Sequence, residues 1–323
     1  MNINKNLNIA KRAKKDEFYT QLSDIEKELR HYKPHFKDKT VYCNCDDPKS
    51  NFFRYFVDNF YNLGLKKVIA THYIPQSRDL FNPPAQKSVK ATYDGVMGVK
   101  FYHLEQDGDF RSAECIELLK QSDIVVTNPP FSLFREYVDQ LMEYDKQFLI
   151  LGNMNAITCK DIFPLIKENQ MWYGPSISNG QIEFEIPDHY PLRSVSRRVD
   201  DEGRKFASFG SIRWFTNLEH SKRHGRLVLC EKYSPEEYPT YDNYDAIEVS
   251  KTKHIPKDYA GVMGVPVSFM DKFCPEQFEI LGVSEQSGRG LSGGLWNINS
   301  GVPHPLVNGK RKYSRLFIRS KQT

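Results

Sequence analysis

Apolar positions fall into two regimes along this chain. Up to about residue 170, stripes at helical spacing alternate with short apolar runs. Leu22, Ile25 and Leu29 form the first stripe, with Ser23 or Asp24 placed to cap it. KTVYCNC then reads as a strand, and KSNFFRYFVDNFYNLG as an aromatic-rich helix stopped by Gly64. KKVIATHY predicts a second strand and VKFYHL a third. The stretch between them, from about Ile74 to Gly98, carries Pro75, Pro83, Pro84 and Gly95 and reads as a loop. RSAECIELLK, residues 111–120, predicts a helix. SDIVVT, rich in β-branched residues, predicts a fully buried strand. SLFREYVDQLMEY (helix), KQFLILGN (buried strand) and KDIFPLIKEN (helix, with Pro164 near its first turn) follow.

Such alternation predicts an α/β fold, a parallel sheet covered by helices on both faces. Sheets of this kind bind ligands at the carboxyl ends of their strands. After residue 171 the regularity is lost. QIEFEIP, FASFGSIRWFTNL and RLVLCEKY are strand-like, and Pro and Gly become frequent. A boundary is expected near residue 218, separating an α/β domain over residues 1–218 from a less regular region over 219–323.

Composition narrows the class. A chain of 323 residues fits two domains at roughly 100–200 residues each. With 39% hydrophobic and 13% aromatic residues it can bury a core and is no disordered scaffold. No apolar run approaches the roughly 18–20 residues of a membrane span. The opening MNINKNLNIAKRAKKDEFY lacks the apolar stretch of a secretory signal. The six cysteines form no zinc-spaced pairs, so free thiols in a reducing cytoplasm and no metal are expected. The net charge is only +4, but its distribution is uneven. Lys5, Lys11, Arg12, Lys14 and Lys15 crowd an arm over residues 1–15. Lys310, Arg311, Lys312, Arg315, Arg319 and Lys321 crowd the last twenty residues, and neither stretch holds an acid. Basic ends suit a polyanion, and a pair of solvated tails fits them equally well.

The sharpest chemical feature is SDIVVTNPPFSLFREY. A buried strand runs directly into Asn128, Pro129, Pro130 and Phe131, and then into a helix. The two prolines stiffen the backbone and remove two N–H donors. The Asn128 amide oxygen and the neighbouring carbonyls are acceptors, and Phe131 is a flat apolar face. This set suits a planar group with an exocyclic amine, such as adenine. Asn-Pro-Pro alone is more often a plain turn. The second copy, FNPPAQK, follows no buried strand and has Ala85 in place of the aromatic, so it reads as a loop.

The TNPPF segment resembles the catalytic motif of DNA methyltransferases that act at adenine N6. Together with DEFYTQLSDIEKEL, VYCNCDDPKSNFFRYF, NLGLKKVIA, DGDFRS, WFTNLE, YDNYDAIEV and GVMGVPVSFMDKFCPEQFE, it makes most of the chain similar to the EcoRI-type adenine methyltransferases. The resemblance is weakest over residues 74–100, 174–210 and 284–310. It implies a Rossmann-like methyltransferase sheet over residues 1–218, with a target-recognition region over 219–323. It also implies S-adenosylmethionine as methyl donor, duplex DNA as substrate and a flipped target base. Phe18, Tyr19 and Thr20 match the family's cofactor-side segment. The usual glycine-rich first loop is replaced by CDDPKSNFF, which leaves Asp46, Asp47, Pro48 and Ser50 to hold the cofactor. One of the two acids has its ammonium group as a target, and helix capping is a nearly equal alternative for the other. THYIPQ stands where an acid normally binds the ribose. Asp109 matches the acid that contacts the cofactor's adenine, although a turn role suits DGDF as well. Trp214 or Phe215 is expected as a second stacking face for the base, and a core role is at least as good for each. Lys11, Arg12, Lys14, Lys15, Lys310, Arg311 and Lys312 are expected on the DNA backbone. A restriction-modification setting or an orphan or phage modification enzyme, with any cognate endonuclease acting separately, and a monomer complete the expectation. A methyltransferase for RNA or a protein amide, and a DNA-binding module without catalysis, are the alternatives.

Overall fold

A computed structural model of the chain describes residues 19–74, 87–177, 182–186, 197–285 and 290–321. The chain divides into two compact units. One comprises residues 1–153 with 179–218, the other residues 154–178 with 219–323. The chain therefore crosses between them near residues 153, 178 and 218. The expected boundary at 218 is one of these crossings, and residues 154–178 group with the later part of the chain.

In chain order the first unit begins with β1 (Tyr19–Thr20), α1 (Leu22–Leu29), β2 (Thr40–Cys43), α2 (Asn51–Asp58), α3 (Phe60–Leu63), β3 (Lys67–Thr71), β4 (Val89–Tyr93) and β5 (Lys100–His103). It continues with α4 (Ala113–Gln121), β6 (Ile124–Thr127), α5 (Phe134–Glu143) and β7 (Gln147–Asn153). The second unit takes α6 (Phe163–Lys167) and β8 (Trp172–Tyr173). The first unit then receives β9 (Ile182–Ile186), β10 (Arg197–Val199), β11 (Lys205–Phe209) and β12 (Ile212–Thr216). Finally β13 (Ile247–Glu248), β14 (Met263–Pro266), β15 (Phe278–Val283), β16 (Leu306–Val307), β17 (Lys310–Arg311) and β18 (Arg315–Ser320) lie in the second unit.

The strands of the first unit run in the order β5-β4-β3-β2-β6-β7-β12. The central pairs β3–β2, β2–β6 and β6–β7 are parallel. Helix α2 packs on β2 and β3, α4 on β2, and α5 on β7. The edges depart from the expected parallel sheet. β4 pairs antiparallel with β3, β5 with β4, and β12 with β7. Strand β4 lies inside the stretch that reads as a loop, where Pro and Gly on both sides hide a five-residue strand. Helix α1 begins at Leu22 with no side-chain cap, so Ser23 and Asp24 fall inside its first turn. A second sheet, β1-β9-β11-β10, is antiparallel and pairs Tyr19 with Glu185 and Thr20 with Phe184.

The second unit contains the sheet β13-β14-β18-β15. Strand β18 lies between β14 and β15, antiparallel to both. Its first residue, Arg315, is not a surface cation of a basic tail. The guanidinium is buried against Glu248, with Nη2 2.7 Å from Oε1 and Nε 3.0 Å from Oε2. Tyr241 donates to the same carboxylate. Strands β16 and β17 form a hairpin through Asn308 and Gly309, both with positive φ, as a tight two-residue turn requires. The N–H groups of this turn donate to Asp242 at 3.1 and 2.7 Å. Lys310 and Arg311 are exposed on the hairpin, and Lys312 is half-buried beside it. No helix among the described residues is long and apolar enough to cross a membrane.

Candidate active site

Three parallel strands, β2, β3 and β6, bring their carboxyl ends together, and the segments that follow them form the site. Strand β6 ends at Thr127, which is fully buried and precedes Asn128. Asn128, Pro130 and Phe131 are half-buried and Pro129 is buried. A 3-10 turn over Phe131–Leu133 then leads into α5. Phe131 packs edge-on against Phe184 of β9, with ring centroids 6.4 Å apart.

The loop after β2 contains Asn44, Cys45, Asp46, Asp47 and Pro48, and the structure separates its two acids. Asp46 is buried and turned inward. The Thr127 hydroxyl donates to its carboxylate, as does the Asn128 N–H. The Asp46 N–H donates to the Thr71 carbonyl at 3.1 Å, and the Cys45 N–H to Thr127 Oγ1 at 3.2 Å. Burial pushes the Asp46 carboxyl up to about 7, against the opposing pull of these two hydrogen bonds. Asp47 is the accessible acid. Its side chain is 43% exposed, accepts the Lys49 N–H at 2.7 Å and lies 3.8 Å from His72 Nε2.

Neither acid caps α2. Ser50 does so, accepting the Phe53 N–H at 3.2 Å. Pro48 lies in the turn between. Strand β1 brings Thr20 beside this loop, where its carbonyl accepts from Asn51 Nδ2 at 2.8 Å. Phe18 lies outside the described residues, as do Lys11, Arg12, Lys14, Lys15 and the second Asn-Pro-Pro copy.

Asp109 follows β5 in the DGDF turn. This turn is seated on the end of β3: the Ile74 N–H donates to the Asp107 carbonyl at 2.9 Å. Gly108 has φ +79, and a Cβ there would fall 2.1 Å from the His72 carbonyl oxygen. Only glycine fits both the conformation and the approach. The Asp109 carboxylate accepts Arg111 Nε at 2.8 Å and Nη2 at 2.6 Å, and Arg111 holds it below the usual carboxylate range. Phe110 packs edge-on against Tyr137 of α5, whose hydroxyl donates to Asn44.

Trp214 and Phe215 are not stacking faces. Every residue of β12 is buried, and both rings are fully so. Trp214 packs on Phe52 and Phe215 on Phe134. Burial of all five residues, the polar Arg213 and Thr216 included, marks cover on both faces. The aromatic found beside the motif is Phe184, from a segment where the resemblance is weak. Thr127 and Asn44 are also additions. Their sequence signal was a polar residue at the end of a buried strand.

The residues fit S-adenosylmethionine. Thr20 Oγ1, Asn44 Nδ2 and His72 Nδ1 are buried polar atoms with no hydrogen-bond partner among the described residues, and each belongs to a segment around the loop after β2. Two acids, Asp47 and Asp109, retain partial exposure and can accept from amines.

A family model described as adenine-specific methyltransferase EcoRI matches residues 6–321. The Type II methyltransferase M.EcoRI of Escherichia coli is 49% identical, over 99% of this chain and 97% of the relative. The Type II methyltransferase M.MpnI of Mycoplasma pneumoniae is 41% identical over 98% of each chain. No solved structure matches. A match over nearly the whole length, joined to an Asn-Pro-Pro-Phe segment at the carboxyl end of a buried parallel strand, shows that the chain belongs to the EcoRI family of adenine-specific methyltransferases.

Proposed function

We propose that this protein transfers a methyl group from S-adenosylmethionine to N6 of adenine at a specific site in duplex DNA, with Asn128, Pro129, Pro130 and Phe131 as the catalytic segment. The supporting observation is the joining of β6 to the loop after β2 through Thr127, Asn128 and Asp46, at the end of the sheet where such folds bind ligands. Membership of the family supports the reaction class.

When bound, S-adenosylmethionine supplies an electrophilic methyl group. Asp47 and Asp109 are the accessible acids for its ammonium and its adenine amine, and Thr20, Asn44 and His72 offer further polar contacts. The adenine N6 lone pair is delocalised into the ring, so the amine is a poor nucleophile. Acceptance of its two hydrogens by Asn128 Oδ1 and the Pro129 carbonyl favours a pyramidal nitrogen with a localised pair. Phe131 stacks on the base. Position and electrostatics are the protein's contribution. The base leaves the duplex to reach this segment, at a cost of a few kcal/mol.

The proposed setting is cytoplasmic restriction-modification, with a monomer acting on DNA and any cognate endonuclease working as a separate chain. Methylation-aware sequencing of DNA from an expressing host tests the reaction. One short motif carrying N6-methyladenine is expected, and unmodified DNA from a host making folded protein would sink the reading.

Asp109→Ala is expected to weaken S-adenosylmethionine binding by an amount equivalent to about 1.5–3 kcal/mol, the worth of a hydrogen bond to a charged group. Calorimetry measures this directly. An unchanged dissociation constant in a folded variant would confine Asp109 to its turn with Arg111.

The β16–β17 hairpin carries Lys310 and Arg311 into solvent, in keeping with contacts to DNA phosphates. Replacing Lys310, Arg311 and Lys312 by Gln leaves the backbone bonds to Asp242 in place. The slope of log K against log[salt] for DNA binding should flatten by up to about 3 if all three touch phosphate. Sequence preference at fixed salt should change less, because phosphate contacts position without reading bases. An unchanged slope would mean that the hairpin does not touch DNA.

A further inference from the structure

The Asp46 carboxylate is buried at the end of the sheet. What it touches is the catalytic segment. Its oxygens accept from the Thr127 hydroxyl and from the N–H of Asn128 itself. Its own N–H is fixed to Thr71 at the end of β3, and the preceding N–H, of Cys45, returns to Thr127. One residue thus joins the ends of β2, β3 and β6, through its carboxylate to β6 and its N–H to β3. The loop bearing the cofactor-side acid Asp47 is one peptide bond away, and the acceptor for the target amine is one hydrogen bond away.

We propose that Asp46 is a positioning residue for methyl transfer, fixing the backbone of Asn128 relative to the cofactor loop so that the amine acceptors and the methyl donor keep a set separation. The inference rests on the assignment of Asn128 as amine acceptor. It adds a residue that acts through Asn128 without touching either substrate. Two hydrogen bonds to one carboxylate define an orientation as well as a distance. Small misplacement of reacting groups costs large factors in rate while leaving ground-state binding nearly intact.

Cys43, Cys45, Tyr137 and Asp47 are the titratable groups around Asp46. Cys43, Cys45 and Tyr137 are pushed upward, chiefly by burial, and are neutral near pH 7. Asp47 is the adjacent charge, and His72 faces Asp47. The carboxylate accepts from both partners in charge-assisted hydrogen bonds, and protonation weakens both by removing the charge. The wild-type single-turnover rate should therefore rise with pH through about 7, the side on which the carboxylate prevails.

The test uses the full chain, a duplex substrate and labelled S-adenosylmethionine. Asp46→Asn should lower the single-turnover rate at saturating cofactor about 10–100-fold, flatten the rise near pH 7, and move the cofactor dissociation constant by less than about 3-fold. Thr127→Val removes the same contact from its other side and should show the same pattern, with Thr127→Ser restoring the rate. Combining Asp46→Asn with Thr127→Val should cost little more than the worse single change, as expected for one shared contact. If Asp46→Asn proves too unstable to purify, the comparison of Thr127→Val with Thr127→Ser still decides. A cofactor dissociation constant raised 10-fold or more with an unchanged transfer rate would overturn the proposal and return Asp46 to the cofactor pocket. Equal rates for Thr127→Val and Thr127→Ser would also overturn it. Asn128→Ala in the same assay separates the two levels. An active Asn128→Ala protein would refute the amine-acceptor assignment itself, whereas an inactive one beside a fully active Asp46→Asn protein would refute only the positioning role.

Discussion

Asn128→Ala is expected to lower single-turnover methyl transfer by about 10²–10³-fold, the scale for removing one preorganised hydrogen-bonding group aimed at developing charge. The cofactor dissociation constant should stay nearly unchanged if the amide serves the target amine, as proposed. Pro129 and Pro130 keep the backbone path with or without the side chain. The loss should therefore report chemistry and leave folding alone. Rapid-quench assays with labelled cofactor, paired with calorimetry, separate the two effects. Asn82→Ala provides the control, since its Asn-Pro-Pro follows no buried strand in the sequence. If the Asn82 change were the damaging one, the catalytic segment would have to be reassigned.

Glu248→Ala should destabilise the second unit by about 3–5 kcal/mol, the usual consequence of stranding one partner of a buried ion pair. Side-chain exposure of Arg315 and Glu248 is 8% and 5%, so water cannot replace the lost carboxylate without opening the sheet. Tyr241 would lose one of its two acceptors in the same step, keeping the Gly264 carbonyl at 3.3 Å. Denaturation followed by tryptophan fluorescence can localise the effect. Trp172 and Trp296 belong to the second unit and Trp214 to the first. In a variant that keeps only Trp172 and Trp296 the midpoint should fall, whereas one that keeps only Trp214 should report a smaller change. Replacing both partners, Glu248→Leu with Arg315→Met, should cost much less than either loss alone. A Glu248→Ala effect below about 1 kcal/mol would place the pair among solvated ion pairs.

The central strands were legible because their chemistry is local. Ile124 to Thr127 is an unbroken β-branched run, and the turn into Asn-Pro-Pro-Phe is written in consecutive residues. Strand β4 was not legible, since Pro and Gly on either side outweigh five residues of modest apolarity. For Trp214 and Phe215 the sequence left stacking and core roles open, because Arg213 and Thr216 on either side hide a strand that is covered on both faces. The choice between Asp46 and Asp47 turns on which way a tight loop faces, and adjacent acids look alike in sequence. Arg315 counts as one more cation at a basic end until Glu248, 67 residues away, is seen beside it. The same distance effect hid Phe184, which meets Phe131 only through the folded sheet.

The threading of the chain between its units constrains how the molecule can be made and cut. Residues 154–178 are synthesised well before the partners in their own unit, and 179–218 intervene before that unit resumes. Strand β18 then enters between β14 and β15, so this sheet cannot close until residue 320 has been added. On the ribosome, the α/β unit has all its strands once residue 216 has emerged, while a segment destined for the other unit is still waiting for its mates. A fragment cut at residue 218 would carry an orphaned α6, with apolar side chains such as Phe163 and Ile166 that are buried in the whole chain, and the complementary fragment would lack them. Exchanging the second unit between relatives of this protein therefore calls for three matched junctions, near 153, 178 and 218.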